Sequence, residues 1–379
     1  MVNDSAIGAN LRRLRASHGL TQAEVATASG ITRLAYRNLE AGLSLPRPET
    51  LQALARALEA GVQDLVTPAS ELRHVRFRSF QRLNTREQIL FEVGRRLRDF
   101  NELEEILGDR IVPRLASLGS DLSMEDAAAA ARKRFGLGPD EPVRDLCGLL
   151  EANGIKVLPL RVASDAFFGL SVAVADGGPA IAVNIWERIS VERRIFTAAH
   201  ELAHLVLHLE DYDVIQKEEE KRQEREANLF AAHFLMPQEV FTREWEETRG
   251  MALVDRVLKV KRMFRVSYRT VLYRLSETGA FGPEIWRRFQ AEVKRRTGRT
   301  LLKEDEPEAL AADAFRASFP EPSRAAEPED LSPADFMEDR LFRLVRRAVE
   351  SDEITLARGA EILALPLEEM RQLAGSWVG

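Results

Sequence analysis

Two histidines four residues apart are the residues best suited to chemistry in this 379-residue chain. His200, Glu201 and His204 form a His-Glu-x-x-His pattern inside an apolar stretch with helical spacing. A spacing of four places both imidazoles on one helix face, about 6 Å apart along the axis. Imidazoles so placed can bind one zinc ion, with Glu201 beside them to take a proton from the attacking water. The pattern therefore predicts metal-assisted hydrolysis, with zinc or another divalent metal as cofactor.

A third metal ligand must come from another part of the chain. His208 continues the same helix face, but it lies about 12 Å from His200 along the axis, so we expect a packing or supporting role for it. Most carboxylates between residues 218 and 226 are expected to form a solvated face. Glu226 adjoins an apolar run that must face the core, which makes it the first candidate. His233, two turns further on, is the runner-up, with a buried supporting role as its alternative.

A small sheet and two helices are predicted to position these side chains. Ser190 caps a helix that ends near Leu209, and a second helix covers Glu218–Leu235 before Met236-Pro237. β-branched and aromatic residues predict three strands, at Ile155–Leu160, Phe167–Ala175 and Ala180–Asn184, the last two joined as a hairpin. We expect Ala180–Asn184 to be an edge strand with which an extended peptide substrate can pair.

Short helices with tight turns are predicted between Ile7 and Val66. Thr21 caps a second helix, Gly30 ends it, and Thr32 caps a third. Two helices that cross through so short a turn are typical of a helix-turn-helix, whose second helix lies in the major groove of DNA. A helical module that docks on proteins is the alternative interpretation.

Composition restricts the remaining classes. Residues 1–100 carry 15 Lys and Arg against 10 Asp and Glu, so a basic head precedes an acidic body within a net charge of −6. This asymmetry indicates nucleic-acid contact at one end. The single cysteine, Cys147, excludes an intrachain disulfide and a cysteine-built zinc site, and favours the cytoplasm. No stretch approaches the roughly 20 apolar residues of a membrane span, so no membrane partner is expected.

The window Gly19–Gly42, with the run Leu20-Thr21-Gln22-Ala23-Glu24-Val25-Ala26, resembles the Cro/repressor-like family of bacterial and phage regulators. The resemblance covers about residues 7–66. It implies binding to double-stranded operator DNA as a homodimer and a structural ion pair between Arg15 and Glu40, while we interpret Tyr36 as a core residue. The DNA-binding residues that follow from this resemblance are Gln22, Thr32, Arg33, Leu34, Arg37 and Asn38.

A second resemblance follows from two separated motifs. The run Phe196–His208, followed by Glu226-Ala227-Asn228-x-Phe230-Ala231-Ala232 and then Leu235-Met236-Pro237, is similar to the ImmA/IrrE family of metallopeptidases. The match spans about residues 128–245. It implies one zinc ion on His200, His204 and Glu226, with Glu201 as the general base. In relatives, the substrate is a repressor that carries the same kind of DNA-binding module.

These observations predict a multidomain, mostly α protein. An N-terminal all-α helix-turn-helix domain precedes a central α+β zincin-like domain, which holds a small β-sheet and the HExxH helix, and helical C-terminal units follow. The predicted divisions are a Cro-like domain at 1–67, a helical connector at 68–122, a metallopeptidase-like domain at 123–247, a helix-turn-helix-like unit at 248–303, a flexible linker at 304–331 and a small helical domain at 332–379.

The combination predicts a DNA-binding transcriptional regulator whose zinc-dependent endopeptidase domain cleaves a repressor protein, or the chain itself, to control stress-response, phage or mobile-element genes. One alternative is a non-proteolytic transcription factor whose peptidase-like domain senses a ligand or partner. Another is an antitoxin-like binding protein that represses its own operon. Zinc content and the effect of Glu201→Gln on cleavage separate these classes.

Overall fold

The computed structural model describes residues 4–66, 72, 74–79, 86–115, 118, 122–209, 221–279, 281–302, 305–307 and 331–377. This part of the chain is mostly helical with one four-stranded sheet, which confirms the predicted fold class. The chain divides into two compact units: Met1–Leu72 with Gln81–Asp99, and Arg73–Phe80 with Phe100–Gly379. None of the described helices is long and apolar enough to cross a membrane.

Five helices build the amino-terminal part of the first unit: α1 (Asp4–Ser17), α2 (Gln22–Ala28), α3 (Arg33–Glu40), α4 (Pro48–Ala57) and α5 (Val62–Val66). The side chains of Thr21 and Thr32 cap α2 and α3, as predicted, each by accepting a hydrogen bond from a backbone N–H of the first turn. Gly30, with φ of +70°, reverses the chain between these two helices. The turn therefore sets α2 and α3 against each other around an apolar core.

Four strands form the sheet of the second unit: β1 (Val75–Ser79), β2 (Lys156–Leu160), β3 (Phe167–Val172) and β4 (Ala180–Asn184). Their order across the sheet is β1-β3-β4-β2. β3 is antiparallel to both of its neighbours, whereas β2 is parallel to β4. The predicted hairpin of β3 and β4 is confirmed, with Gly169 opposite Val183 and Val172 opposite Ala180.

One expectation about this sheet is wrong, and a second is incomplete. β4 is not an edge strand, because β2 and β3 pair with its two sides, and all five of its residues are buried. The stretch at 68–122, predicted as helical, contains β1. The Val-Arg-Phe-Arg-Ser sequence of β1 alternates with period two, but the surrounding arginines conceal this signal, and only pairing with β3 makes the segment a strand.

Six helices precede or surround the sheet: α6 (Arg86–Ile106), α7 (Met124–Arg134), α8 (Leu146–Ala152), α9 (Val191–Leu207), α10 (Lys221–Leu235) and α11 (Gln238–Glu247). Ser190 caps α9, as predicted, by accepting a hydrogen bond from the backbone N–H of Arg193. Helix α10 packs on both α7 and α9, and α9 also packs on β3 and β4. Strands β2 and β4 and helices α7 to α11 contribute to one hydrophobic core.

The remaining helices are α12 (Leu253–Phe264), α13 (Tyr268–Glu277), α14 (Glu284–Thr297), α15 (Arg340–Glu350), α16 (Leu356–Leu363) and α17 (Leu367–Ser376). α12 to α14 contribute Val257, Val271 and Phe289 to the core that also holds α9 and α10. The unit predicted at 248–303 therefore continues the core of the preceding domain. Most of the linker predicted at 304–331 lies outside the described residues.

Candidate metal centre and DNA-binding surface

Helix α9 buries the His-Glu-x-x-His residues completely or almost so. His200 and Glu201 have no exposed surface, and His204 is 1% exposed. The close approach of β3 to this helix depends on Gly169, because a Cβ there would lie 2.6 Å from Thr197 Cγ2 and 3.4 Å from Glu201 Cγ. The four-residue spacing works as predicted, since the two imidazole Nε2 atoms face each other at 3.0 Å.

The third side chain at this histidine pair is Glu224. Its Oε2 lies 3.2 Å from His200 Nε2, and its Oε1 lies 3.2 Å from His204 Nε2. Among the described residues, His200, His204 and Glu224 form the one group whose ligand atoms converge as a metal site requires, all within 4.8 Å of one another. The structure thus brings Glu224, and not the predicted Glu226, to the two histidines.

A helical phase that the sequence analysis missed explains this difference. Glu224 precedes Ala227 and Ala231 by three and seven residues, and both alanines are fully buried. Residues at those intervals share a helix face, so the carboxylate of Glu224 points with them toward α9. Glu226 lies two residues further along, about 200° of helical rotation from Glu224, and it turns toward His208 instead. Because Glu226 also precedes two buried residues at helical spacing, Phe230 and Phe234, the sequence alone did not separate the two glutamates.

Glu226 and His208 form a hydrogen-bonded chain behind His204. Glu226 Oε2 lies 3.1 Å from His208 Nε2, and His208 Nδ1 lies 2.9 Å from His204 Nδ1. A carboxylate only accepts, so His208 donates from Nε2 and accepts at Nδ1, which leaves His204 to donate from Nδ1. The lone pair of His204 Nε2 then faces Glu224. The supporting role expected for His208 matches this position.

His200 is oriented in the same way by Asn228. The Nδ1 of His200 lies 3.0 Å from Asn228 Oδ1, an acceptor, so His200 carries its proton on Nδ1. Its Nε2 therefore also presents a lone pair to Glu224. Metal-binding histidines are commonly fixed by such a partner at the second ring nitrogen.

The three converging groups suit a cation. Burial lowers the pKa of His204 well below its usual value, so the imidazole is neutral. Burial raises the pKa of Glu224, but the adjacent imidazoles of His200 and His204 outweigh it and hold the pKa well below its usual range. Two imidazole lone pairs and one carboxylate at about 3 Å repel one another unless a positive charge lies between them. Nitrogen, nitrogen and oxygen donors fit the preference of zinc.

Glu201 faces the strand rather than this ligand group. Its Oε2 accepts a hydrogen bond of 2.8 Å from the hydroxyl of Ser171 on β3. The bond fixes a carboxylate that lies next to His200 in the sequence, as a general base must be fixed. Ser171 was not identified from the sequence, because nothing local links it to Glu201.

The runner-up ligand His233 lies elsewhere. Its Nε2 is 2.9 Å from Glu277 Oε1 and 2.9 Å from Arg274 Nη1. Arg274 is fully buried, so this network joins α10 to α13 inside the core. The position fits the buried supporting role that was its alternative.

Helix α3 presents the residues expected to read DNA. Arg33, Leu34 and Arg37 are exposed, Leu34 by 59%, and Asn38 is partly buried beside them. Thr32 is exposed as well and caps the helix by accepting a hydrogen bond from Ala35 N. Two arginines with no acidic residue in the first turn make this face basic. Such a face fits contact with phosphates and base edges.

The core of the first unit holds α3 in place through Glu40 and Tyr36. Arg15 donates two hydrogen bonds of 2.9 Å to Glu40, which confirms the expected ion pair. Burial raises the pKa of Glu40, but these bonds, with a further one from Gln22, lower it below the usual value. Tyr36 is fully buried, as predicted. Gln22, expected at the DNA backbone, therefore also contacts Glu40.

Comparisons with known proteins agree with both regions. A family model described as Helix-turn-helix matches residues 11–65, and the model of the IrrE N-terminal-like domain matches residues 150–276. The uncharacterized HTH-type transcriptional regulator y4dJ of Sinorhizobium fredii (strain NBRC 101917 / NGR234) is 43% identical over 65 residues, which are 17% of this chain and 84% of that protein.

One solved structure aligns with nearly the whole chain. The crystal structure of ComR from Streptococcus suis covers 98% of this chain and 96% of its own, at 12% identity and a TM-score of 0.16. A TM-score this low carries no argument about fold or function. The two family models and the regulator from Sinorhizobium fredii are the informative matches.

Proposed function

Because the chain belongs to the HTH-type transcriptional regulators and carries a metallopeptidase-like domain of the IrrE type, we propose that it is an operator-binding regulator with zinc-dependent endopeptidase activity. The observation that carries the peptidase part is the convergence of His200, His204 and Glu224 next to Glu201. In this proposal Glu224 replaces Glu226 as the third ligand. The proposed substrate is a repressor protein.

The two histidines and Glu224 would hold the zinc ion, which when bound would supply Lewis-acid chemistry to the scissile carbonyl and to the attacking water. Glu201 accepts the proton of the attacking water and later donates it to the amine nitrogen that leaves. Ser171 keeps one oxygen of that carboxylate fixed, and the other oxygen takes the proton. Asn228 and the Glu226–His208 pair hold the two ligand imidazoles in the tautomers that leave Nε2 free to bind.

DNA binding in this proposal uses α3 as the recognition helix. Arg33, Leu34 and Asn38 contact base edges, while Thr32 and Arg37 contact the backbone, and Gln22 anchors the start of α2. Modules of this kind commonly bind as dimers to half-sites about one helical turn apart. We therefore propose a homodimer on a two-fold symmetric operator, which analytical ultracentrifugation of the protein–DNA complex tests.

The test of the peptidase is cleavage of a co-expressed repressor encoded next to this protein. The wild type is expected to cleave it, while Glu201→Gln should lose at least about 100-fold in rate because general-base catalysis contributes 10²–10⁴-fold. Glu201→Gln should retain zinc, whereas Glu224→Gln should lose both zinc and cleavage. Glu187→Gln is the matched control, since Glu187 is exposed and forms an exposed ion pair with Arg161.

Cleavage that continues unchanged in Glu201→Gln would contradict the proposed mechanism. A protein that retains zinc but cleaves no repressor in any variant would instead support the non-proteolytic sensor. Copurification of an uncleaved neighbouring protein would support the antitoxin-like alternative. Operator binding is scored separately and does not depend on these outcomes.

A further inference from the structure

Strand β1 occupies the outer edge of β3, the strand whose Ser171 donates a hydrogen bond to Glu201. The register places Arg76 opposite Ser171, the residue that donates to Glu201, and Arg78 opposite Gly169, the residue that lets β3 approach α9. A peptide that adds to a sheet pairs through its backbone with an exposed edge strand. Of the three strands within the matched IrrE-type domain, β3 is the one that contacts Glu201, through Ser171. One side of β3 pairs with β4, and β1 pairs with the other side.

The side chain of Arg76 reaches the proposed metal ligands. Its guanidinium donates to Gln223 Oε1, and its Nη2 lies 3.4 Å from Glu224 Oε1. The side chain is 11% exposed, so β1 brings a nearly buried cation to the carboxylate that faces both histidines. The backbone pairing and this side chain together fill the space alongside the centre.

Strand β1 lies outside the stretch of sequence that matches the IrrE-type domain. The IrrE-type match begins at residue 150, whereas β1 lies within the sequence between that domain and the helix-turn-helix. His74 directly precedes the strand; its carbonyl accepts a hydrogen bond of 2.9 Å from Ala173 N, and its Nδ1 lies 3.0 Å from Asp176 Oδ1. A segment of the connector thus completes the sheet at the position where a substrate would pair.

We infer that the outer edge of β3 is the surface that binds an extended peptide substrate, and that Val75–Ser79 occupies this surface as an intramolecular competitor. The inference rests on the proposed peptidase function. It also assigns a side-chain preference: a substrate should carry arginine opposite Ser171, where Gln223 and Glu224 receive the guanidinium of Arg76. The class of ligand is therefore an extended basic peptide.

Two features of β1 suit a segment that a substrate displaces. The pairing with β3 loses its regular register between Arg78 and Ser79. The Nε of Arg76 is buried and has no hydrogen-bond partner among the described residues. A buried donor left without a hydrogen bond is destabilising, so the pairing of this segment with β3 is weaker than a fully satisfied one.

The test measures peptide binding rather than catalysis. A fluorescein-labelled peptide with the sequence of residues 73–81 is titrated into full-length protein in the Glu201→Gln background, with and without zinc. In a second protein, residues 75–79 are replaced by glycine and serine at the same length. The replacement is expected to tighten peptide binding by at least about ten-fold, because the competing segment no longer holds the edge in most molecules.

Arg76→Ala in the protein provides a second variant that leaves the backbone of β1 in place. It should tighten binding of the unchanged peptide by about three-fold or more, because β1 without the Arg76 side chain should leave the edge of β3 free in a larger fraction of molecules. Arg161→Ala is the matched control, because Arg161 forms an exposed ion pair with Glu187 away from β1. A peptide in which the residue corresponding to Arg76 is alanine should bind at least about five-fold more weakly.

Hydrogen exchange identifies the surface. The amides of Phe167–Val172 should lose protection in the replacement variant and regain it when the peptide is added. A folded replacement variant that binds the peptide no more tightly than the wild type overturns the inference. If that variant does not fold, Arg76→Ala decides in the same way, with unchanged peptide affinity overturning the inference.

Failure of the inference and failure of the proposed function are distinguishable. Tight peptide binding with no repressor cleavage by the zinc-loaded protein would refute the peptidase and retain the peptide-binding edge. Repressor cleavage with no gain in peptide affinity in either variant would retain the peptidase and refute the role of β1.

Discussion

The structure places Glu224, and not Glu226, at the two histidines, so substitutions of the two glutamates should have different effects on metal binding. Glu224 contacts both histidines of the pair at 3.2 Å, whereas Glu226 contacts the ring of His208 and the side chain of Arg222. A residue that orients a ligand through another residue affects metal affinity less than the ligand does. The two glutamates should therefore differ in the degree of metal loss, and this difference is measurable.

We predict that Glu224→Ala abolishes stoichiometric zinc binding, while Glu226→Ala lowers zinc affinity by about 10–100-fold, the usual effect of removing such a supporting group. Glu226→Gln should restore most of the affinity, since its amide oxygen still accepts from His208 Nε2. Competition with a chromogenic chelator gives the affinities. The sequence-based assignment would be reinstated if Glu226→Ala lost all zinc and Glu224→Ala kept it.

At the scale of elements, the position of α3 depends on local capping and on one buried ion pair. Thr32 fixes the start of α3, and Arg15 holds Glu40 at its end. Between these two points the helix presents the exposed Arg33, Leu34 and Arg37. The geometry follows from residues within a short window, which explains why the sequence pattern identified this element well.

We predict that Arg33→Ala and Asn38→Ala each weaken binding to an operator selected from random DNA by about 1–3 kcal/mol and relax preference at a single base position. Arg37→Ala should instead weaken binding to all sequences and reduce the salt slope by about one. Arg56→Ala on α4, an exposed arginine outside α3, is the control. Fluorescence anisotropy over a salt series provides both numbers. Equal losses in all four variants would argue against α3 as the recognition helix.

The arrangement of the sheet, unlike that of α3, was predictable from the sequence only in part. β3 and β4 were predictable because a Gly-rich turn joins two β-branched runs. The order of strands was not predictable, since β1 comes from far upstream and pairs antiparallel to β3 about 100 residues later. Each strand signal is local, whereas an edge is a property of the assembled sheet.

At the scale of the whole molecule, a buried ionic cluster joins distant parts of the second unit. Glu104 on α6 is 2% exposed, forms an ion pair with Arg340 at the start of α15, and lies 3.1 Å from Lys156 on β2. Burial lowers the pKa of Lys156, although Glu104 opposes the shift. The cluster therefore connects the connector helix, the sheet and the carboxy-terminal helices.

We predict that Glu104→Ala destabilises the second unit by about 3–5 kcal/mol, because it leaves two buried cations without their shared anion. Glu105→Ala, at the exposed next position, should change the free energy of unfolding by about 0.5 kcal/mol or less. Urea unfolding followed by tryptophan fluorescence compares them. Equal effects of the two substitutions would show that the cluster adds nothing specific.

The sequence by itself determined the chemistry that depends on short spacing. His200, Glu201 and His204 share one helix, and Thr21, Gly30 and Thr32 lie within one turn region, so fixed backbone geometry relates their positions. The two family resemblances followed from these windows. The charge split between a basic head and an acidic body was also a property of composition alone.

Only the tertiary structure decided which carboxylate meets the histidines, which hydroxyl holds Glu201 and which segment covers β3. Each of these depends on the rotation of one element against another, where one residue of helical phase turns a side chain by about 100°. Sequence spacing fixes such a phase within α9 or α10, but not between them. Packing of the two buried faces fixes it, and with it the choice of Glu224 over Glu226.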